Sequence, residues 1–249
     1  MMTSSKVDAG VQMSGEFGQQ LALPVGIRSD AGFDNFFGSQ APRVVSLLQQ
    51  ALGNVNETLI WVCGPKESGK SHLAAACLKY IESCGSAAMY LGLDELAGQI
   101  EWARFFIDDD AGPSVVVLDD LHMWLNNGEA EGALFQMFNQ FKISGRQLIV
   151  TSDKPPALMH IQLPDLASRL RSAQVLTLHS PNDVEKQDVL VRVAAERGIH
   201  IGNEVAAYII KRSQRNLGQL LQVLEQVEQA SLIEKRKVTV PFIKKVLGW

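Results

Sequence analysis

The stretch LIWVCGPKESGKS, residues 59–71, decides the fold of this chain. Its five apolar residues, 59–63, predict a buried strand, and the pattern from Lys70 to Cys84 predicts a helix. The segment between them has the form G-x-x-x-x-G-K-[ST], the pattern of a phosphate-binding loop. A strand, a glycine-containing loop and a helix are the order this loop needs, because loop N–H groups and the helix N-terminus must point at the same phosphates.

Each residue of this loop has a predicted part in holding a nucleotide. Gly64 and Gly69 permit the tight backbone, Lys70 is expected to reach the outer phosphates, and the Ser71 hydroxyl is expected to ligate Mg²⁺. The predicted nucleotide-binding set in the loop is Gly64, Pro65, Lys66, Glu67, Ser68, Gly69, Lys70 and Ser71. The alternative is a glycine-rich turn before an ordinary helix.

Strands and helices alternate as far as residue 180. Further strands are predicted near 87–91, 114–118, 147–151 and 175–178, with helices at 33–52, about 129–142 and within 164–170, and a polar amphipathic segment at 94–107. The run at 114–118 shows no alternation of apolar and polar residues, which is typical of a parallel strand buried on both faces. We therefore predict an α/β domain over residues 31–180, with a parallel five-stranded sheet and flanking helices.

The strand pattern stops after residue 180. Segments 182–197, 203–211, 217–234 and 239–247 predict helices, with Asn182 and Asn203 as N-caps. Residues 181–249 are therefore predicted to form a small all-α domain. Residues 1–30 are rich in Gly, Ser and Gln and have little periodicity, so we expect a flexible tail.

Polar residues follow two of the predicted strands, at the edge where ligands bind in parallel sheets. Asp119 is predicted to hold Mg²⁺ through water, and Asp120 to orient a water for attack on a γ-phosphate. Asp153 is a further catalytic candidate, although the pattern does not decide which of residues 151–153 contacts the phosphate. The alternative is that these polar residues simply end their strands.

Arg169 lies just before the last predicted strand, within the segment 165–171. An arginine near the end of a short helix can cap that helix or pair with Asp165 one turn earlier. It can also project into the nucleotide site of a neighbouring protein as an arginine finger. The residues alone leave these interpretations open.

Composition argues against several classes of function. The net charge is −4 and the pI about 5.8, so the basic footprint of a free-standing DNA binder is missing and direct DNA binding is expected to be weak at most. Cys63, Cys77 and Cys84 show no C-x-x-C spacing, and the strand and helix positions of Cys63 and Cys77 indicate buried thiols in a reducing compartment. Without an apolar leader or a run of about 18 apolar residues, we expect a cytoplasmic protein with no membrane partner.

Several segments, taken in order, resemble the DnaA family of AAA+ proteins. The matching segments are 33–36 (FDNF), 69–73 (GKSHL), 117–120 (VLDD), 151–153 (TSD), 168–170 (SRL) and the helical lid at 181–247. The resemblance implies an AAA+ fold with a lid and a bound adenine nucleotide, ADP or ATP, with Mg²⁺. It also implies that Phe33, Phe36 and His72 lie at the nucleotide and that Arg169 is an arginine finger acting in trans.

One position departs from this family. The lid helix of the family begins with a second-sensor arginine that contacts the phosphates, whereas the matching residue here is Gly218. Arg215, one turn earlier, is the candidate substitute, and both residues belong to the predicted nucleotide site. The departure implies weak intrinsic ATP hydrolysis, with the bound diphosphate serving as a structural ligand.

The segment QLALPV, residues 20–25, resembles a bacterial sliding-clamp-binding peptide. In an extended chain Leu21, Leu23 and Val25 lie on one side, Pro24 favours that extended geometry, and Gln20 supplies a polar anchor. A linker without a binding role is the alternative.

The resemblance, with no DNA-binding domain after the lid, implies a regulator of replication initiation rather than an enzyme in its own right. Its implied partners are the DnaA initiator and the sliding clamp of DNA polymerase III. Tethered to the DNA-loaded clamp, it would stimulate hydrolysis of DnaA-bound ATP and prevent re-initiation. Self-association, for instance as a dimer, is also expected. Three other functions stay open: a self-sufficient P-loop ATPase such as a helicase loader, a DNA-binding initiator fragment, and a nucleotide-binding scaffold without catalytic effect.

Overall fold

The structure, a computed structural model, describes residues 31–54, 58–93, 96, 103, 106, 112–214 and 216–249. Within these residues five parallel strands form one sheet in the order β2-β3-β4-β1-β5. The strands are β1 (Leu59–Cys63), β2 (Ala88–Gly92), β3 (Val115–Asp119), β4 (Gln147–Ser152) and β5 (Gln174–Thr177). Because all strands run the same way, the residues that follow β1, β3 and β4 meet at one edge of the sheet, here called the carboxyl edge.

Helices cover both faces of the sheet and form a separate bundle after it. The first group is α1 (Ala41–Leu52), α2 (Lys70–Ser83), α3 (Gly128–Ser144) and α4 (Pro164–Arg171). The second group is α5 (Asp183–Glu196), α6 (Asn203–Arg212), α7 (Leu217–Glu234) and α8 (Val240–Leu247). Short 3₁₀ helices, Leu121–Met123 and Pro156–Leu158, follow β3 and β4 at the carboxyl edge.

Alternate residues of each central strand enter different cores. In β3, Val116 and Leu118 pack with α3 and α4, whereas Val115 and Val117 pack with α1 and α2. A third core joins the second group of helices through residues such as Leu190, Ile209 and Leu224. A strand with two buried faces has no polar face to show, which accounts for the unbroken apolar pattern of β1 and β3.

The predicted α/β fold, with its parallel sheet and helical C-terminal region, is confirmed, and each strand lies within one residue of its predicted bounds. The start of the first helix was wrong, since α1 begins at Ala41 and residues 33–40 form turns. Gly38 (φ +121°) and Pro42 in the first helical turn account for this break. Asn182 is an N-cap as predicted, accepting from the N–H of Val184 and Glu185, but the N-cap of α6 is Gly202.

Some predictions lie outside the described residues. They are the tail at 1–30 and most of the segment at 94–107. Among the helices of the described ranges, none combines the length and the apolar character needed to cross a bilayer.

Candidate nucleotide-binding site

The loop between β1 and α2 ends at Gly69, where only glycine fits the backbone conformation and the space. Gly69 has a φ of +93°, and a Cβ added there would lie 2.6 Å from Cε2 of Phe36. Gly64 is equally confined, since an added Cβ would lie 2.7 Å from the carbonyl oxygen of Leu178. Close packing therefore requires both glycines of the sequence pattern, and the left-handed backbone requires Gly69 in addition.

Polar groups converge inside this loop. The Lys70 ammonium lies over it and donates to the carbonyl oxygens of Gly64 (2.9 Å) and Pro65 (3.1 Å). The Ser68 hydroxyl is buried and has no hydrogen-bond partner among the described residues. Ser71 is exposed in the first turn of α2. A cation, a helix N-terminus and an unsatisfied buried hydroxyl around two crowded glycines fit a bound phosphate group.

The acidic residues after β3 are held by side chains of the neighbouring strands. The Asp119 carboxylate is buried and accepts hydrogen bonds from the Tyr90 hydroxyl (2.6 Å) and from the Thr151 hydroxyl. The Thr151 oxygen in turn accepts from the N–H of Asp120 (2.9 Å). Asp120 adopts a left-handed conformation (φ +59°) and its side chain is about one-third exposed (34%). This arrangement orients one buried and one accessible carboxylate at the carboxyl edge.

The structure separates the residues of the 151–153 segment. Thr151 and Ser152 are fully buried, and Thr151 contacts the acidic pair, whereas Asp153 is exposed and lies 3.9 Å from Lys154. The sequence pattern did not single out Thr151 over Asp153, and it carried no signal for Tyr90.

The two aromatic residues predicted at the nucleotide occupy different places. Phe36 is buried against Gly69, and its ring centroid lies 5.6 Å from that of His72. Phe33 packs on Tyr80 instead, with ring centroids 5.4 Å apart. His72 Nε2 lies 3.0 Å from the carbonyl oxygen of Gly32. Only Phe36 and His72 of these predicted residues therefore line the cavity described next.

A cavity of about 590 Å³ separates the phosphate loop from the helical bundle. Its loop side includes Lys66, Ser68 and Gly69, and its bundle side includes Gly218 and Leu221. The structure thus brings Gly218 to the predicted site, although it supplies no side chain there. Glu185 also lines the cavity, and hydrogen bonds from the Ser39 hydroxyl and the Asn182 N–H hold the pKa of its carboxyl below its ordinary value.

Glu67 connects the phosphate loop directly to the helical bundle. Its carboxylate accepts hydrogen bonds from the Asn216 side chain and from the N–H of Leu217 (3.3 Å), at the start of α7. Glu67 has a φ of +67°, an uncommon conformation for a residue with a side chain. The N-terminus of α7 favours negative charge, which supports this contact. No sequence pattern indicated it.

Arg169 lies in the last turn of α4 and is not among the residues that line the cavity beside the phosphate loop. Its side chain is partly exposed and makes no hydrogen bond or ion pair within the described ranges, so the pairing with Asp165, one of the alternatives that the sequence left open, is not made there. The strand that follows α4 starts at Gln174, which aligns with Ile60 of β1, four residues before Gly64. Four strand residues at about 3.3 Å each place Ile60, and with it the start of β5, about 13 Å from Gly64 along the sheet.

Two sets of predicted site residues lie outside the described part of the chain. One is Arg215, the candidate substitute for the second-sensor arginine. The other is the clamp-binding set, Gln20, Leu21, Leu23, Pro24 and Val25.

A parallel sheet of this order, a phosphate loop after its β1 and a helical lid define a P-loop protein of the AAA+ class. The family model of the bacterial DnaA ATPase domain matches residues 28–178, and that of the Hda lid domain matches residues 183–247. The chain therefore belongs to the DnaA family, and its C-terminal helices form a lid of the Hda type.

Similar proteins agree with this assignment. An uncharacterized protein of Haemophilus influenzae is 32% identical over 231 residues, which cover 92% of this chain and 99% of that protein. Domain III of DnaA from Thermotoga maritima has a similar structure, with a TM-score of 0.72 and 18% identity, over 89% of this chain and 97% of that domain. AMPPCP-bound DnaA from Aquifex aeolicus gives a TM-score of 0.68 at 17% identity, over 82% and 66% of the two chains.

Proposed function

We propose that this protein regulates replication initiation by stimulating hydrolysis of the ATP bound to DnaA. The peptide at 20–25 tethers it to the DNA-loaded sliding clamp, and Arg169 enters the nucleotide site of DnaA. DnaA then becomes ADP-bound and re-initiation is prevented. In this proposal the chain is a regulatory protein rather than a self-contained enzyme, and it is cytoplasmic.

The position of Arg169 carries the proposal. Arg169 does not line the cavity beside the chain's own phosphate loop. It is partly exposed and has no partner within the described ranges, so it is available to a neighbouring protein. A guanidinium supplied in trans stabilises the charge of a transferring phosphoryl group and increases the rate by roughly 10³–10⁵.

The nucleotide of the chain itself is proposed to be ADP or ATP with Mg²⁺. Lys70, Ser68 and the N-terminus of α2 hold the phosphates, and Phe36 and His72 line the neighbouring part of the cavity. The Ser71 hydroxyl and, through water, the Asp119 carboxylate would hold Mg²⁺, which would neutralise phosphate charge there. When bound, the nucleotide supplies phosphate charge that orders the loop against the lid. Since Gly218 offers no cation to a γ-phosphate, a diphosphate suffices for this ordering.

Two further parts of the proposal concern organisation. Residues 31–180 act as the nucleotide-binding unit, 181–249 as the lid and 1–30 as the tether. Self-association, for instance as a dimer, covers the surface around Arg169 until DnaA replaces the second copy.

Hydrolysis of labelled ATP pre-bound to purified DnaA tests the proposal in a single turnover, with and without DNA-loaded clamp. We expect clamp-dependent acceleration by the wild type and a loss of at least a hundredfold for Arg169→Ala. Arg171→Ala is the matched control, because it removes an exposed arginine from the same helical turn. No acceleration with or without clamp, or equal activity of Arg169→Ala, would contradict the proposal.

The proposed binding of the peptide at 20–25 to the clamp is tested by a separate experiment. The double variant Leu21→Ala and Leu23→Ala removes two of the apolar side chains that would enter pockets on the clamp. It should lose the acceleration at low protein concentration and regain it at high concentration, because tethering raises the effective concentration only. Equal clamp dependence of variant and wild type would refute this role.

A second candidate function is a self-sufficient ATPase such as a helicase loader. The arrangement around Asp119, Asp120 and Thr151 favours it, since an accessible carboxylate lies at the edge where a water could attack. Steady-state ATP turnover by the protein alone measures this activity. Turnover of about 1 s⁻¹ or faster that is lost in Asp120→Asn supports this function.

A further inference from the structure

Glu131 is a buried carboxylate that has no part in the functions proposed above. It lies in the first turn of α3 and is fully inaccessible (0% exposed). Within the described ranges it makes no ion pair. Burying a carboxylate is costly unless hydrogen bonds compensate it, so the groups that surround Glu131 are informative.

Both oxygens of Glu131 accept from backbone N–H groups, and these belong to two different loops. Oε1 accepts from Asn126 (2.8 Å), in the loop that follows the acidic pair after β3. Oε2 accepts from Leu163 (2.8 Å), in the loop that leads into α4. Hydrogen bonds to a charged acceptor are about twice as strong as neutral ones, so one side chain joins these two loops firmly.

A second side chain joins the same loops. Gln162 Nε2 donates to the carbonyl oxygen of Asn126 (3.0 Å) and to its side-chain oxygen (3.1 Å). Asn126 has a φ of +69°, so its segment turns sharply at the contact. At its other end this loop begins at Asp120, whose N–H is bound to Thr151. The loop is therefore fixed to the sheet at one end and to α4 at the other.

The hydrogen bond from the Leu163 N–H to Glu131 fixes the residue at which α4 begins. Leu163 is the N-cap residue of α4, has no side-chain cap of its own, and is followed by Pro164, which has no N–H. The helix has two turns, and its three buried residues, Leu166, Ala167 and Leu170, lie along one side of it. Arg169 lies six residues after Leu163, about 9 Å along the axis, so the helix start determines where its guanidinium lies.

We propose that Glu131 is a positioning residue for Arg169. It connects the loop after the acidic pair to the start of α4 and thereby fixes the direction in which Arg169 is presented to the partner's nucleotide. This inference rests on the proposed function of Arg169 in trans. A displacement of about 1 Å at a reacting centre can lower a rate by about a hundredfold, so a small shift of α4 would be measurable.

Glu131→Gln is the direct test. The amide keeps the shape of the side chain but has one acceptor oxygen, and its NH₂ group faces the other backbone N–H. One of the two loops is therefore released. We expect the maximal stimulated rate of hydrolysis of DnaA-bound ATP to fall roughly ten- to a hundredfold. The DnaA concentration at half-saturation and the affinity of the protein for ADP should change less than twofold.

Glu129→Gln is the matched control, because it makes the same change in the same helical turn at an exposed position. Gln162→Ala is a second variant at an exposed residue, so it should fold even if Glu131→Gln does not. It removes the second connection and should lower the maximal rate two- to fivefold.

The outcomes separate the two proposals. If the wild type does not stimulate hydrolysis, or if Arg169→Ala matches it, the proposed function fails and the role of Glu131 fails with it. If the wild type stimulates through Arg169 and both Glu131→Gln and Gln162→Ala keep the full maximal rate, only this inference is overturned. A change confined to half-saturation also overturns it. A reduced maximal rate with unchanged half-saturation and an inert Glu129→Gln supports it.

Discussion

Replacing Thr151 by valine tests how the acidic pair is held at the carboxyl edge. The Thr151 hydroxyl donates to the Asp119 carboxylate and accepts from the N–H of Asp120. Valine has the same shape but no hydroxyl, so both bonds are lost without a change in packing volume. All of Thr151 is buried, and water has little access to replace the lost hydroxyl.

The magnitude follows from the two bonds. A hydrogen bond to a charged group contributes about 1.5–3 kcal/mol, and an N–H left unsatisfied in a buried place costs about 1–3 kcal/mol. We expect Thr151→Val to lower the free energy of unfolding by about 3 kcal/mol, since local relaxation recovers part of the sum. With a denaturant slope of about 3 kcal/mol per M, the midpoint of urea unfolding should fall by about 1 M.

Thr151→Ser is the control, because it keeps the hydroxyl and loses only a buried methyl group. That methyl is worth about 1 kcal/mol, so the midpoint should fall by about 0.3 M. The assay is urea unfolding of both variants and the wild type, monitored by circular dichroism in the same buffer. If Thr151→Val is no less stable than Thr151→Ser, the hydroxyl does not hold the acidic pair and the reasoning is wrong.

Other parts of the molecule give three further predictions. Gly69→Ala should weaken ADP binding at least tenfold in a fluorescence titration, since the left-handed backbone and the nearby Phe36 ring both oppose a Cβ. A thiol reagent at pH 8 should modify one cysteine in the folded protein, Cys84, because Cys63 and Cys77 are buried and burial raises the pKa of Cys77 to about 12. The hydrogen bond from Ser39 lowers the pKa of Glu185. This bond therefore stabilises the folded protein above about pH 4.5, and the stabilisation is lost as the pH falls below that value and the carboxylate is protonated.

Each of these predictions has a control. Gly145→Ala, which has similar backbone strain (φ +68°) but open space around it, should leave ADP affinity unchanged. Unfolding in urea should expose the remaining two of the three cysteines to the reagent. Ser39→Ala should lower the free energy of unfolding at pH 7 by less than about 1 kcal/mol, since the pair is so exposed, and should have no effect near pH 3. The first prediction is wrong if Gly69→Ala binds ADP as tightly as the wild type. The second is wrong if more than one cysteine of the folded protein is labelled. The third is wrong if the effect of Ser39→Ala is the same at pH 7 and pH 3.

The order of strands and helices could be predicted because it depends on local pattern. The unbroken apolar runs of β1 and β3 indicated strands buried on both faces, and both are. The first helix was placed too early, since the apolar residues Phe33 and Phe36 suggested periodicity that begins only after Gly38. Their rings pack on other elements, which a local pattern does not reveal.

The sequence by itself determined the phosphate loop, the class of fold and the helical lid, because each was recognised from the local patterns of single strands, loops and helices. Tertiary structure alone decided that Thr151 holds the acidic pair, that Glu67 contacts the start of α7 and that Arg169 does not line the cavity beside the phosphate loop. The physical reason is distance along the chain. Thr151 is 32 residues from Asp119, and Glu67 is 150 from Leu217, so only the folded sheet brings their hydrogen-bonding groups together.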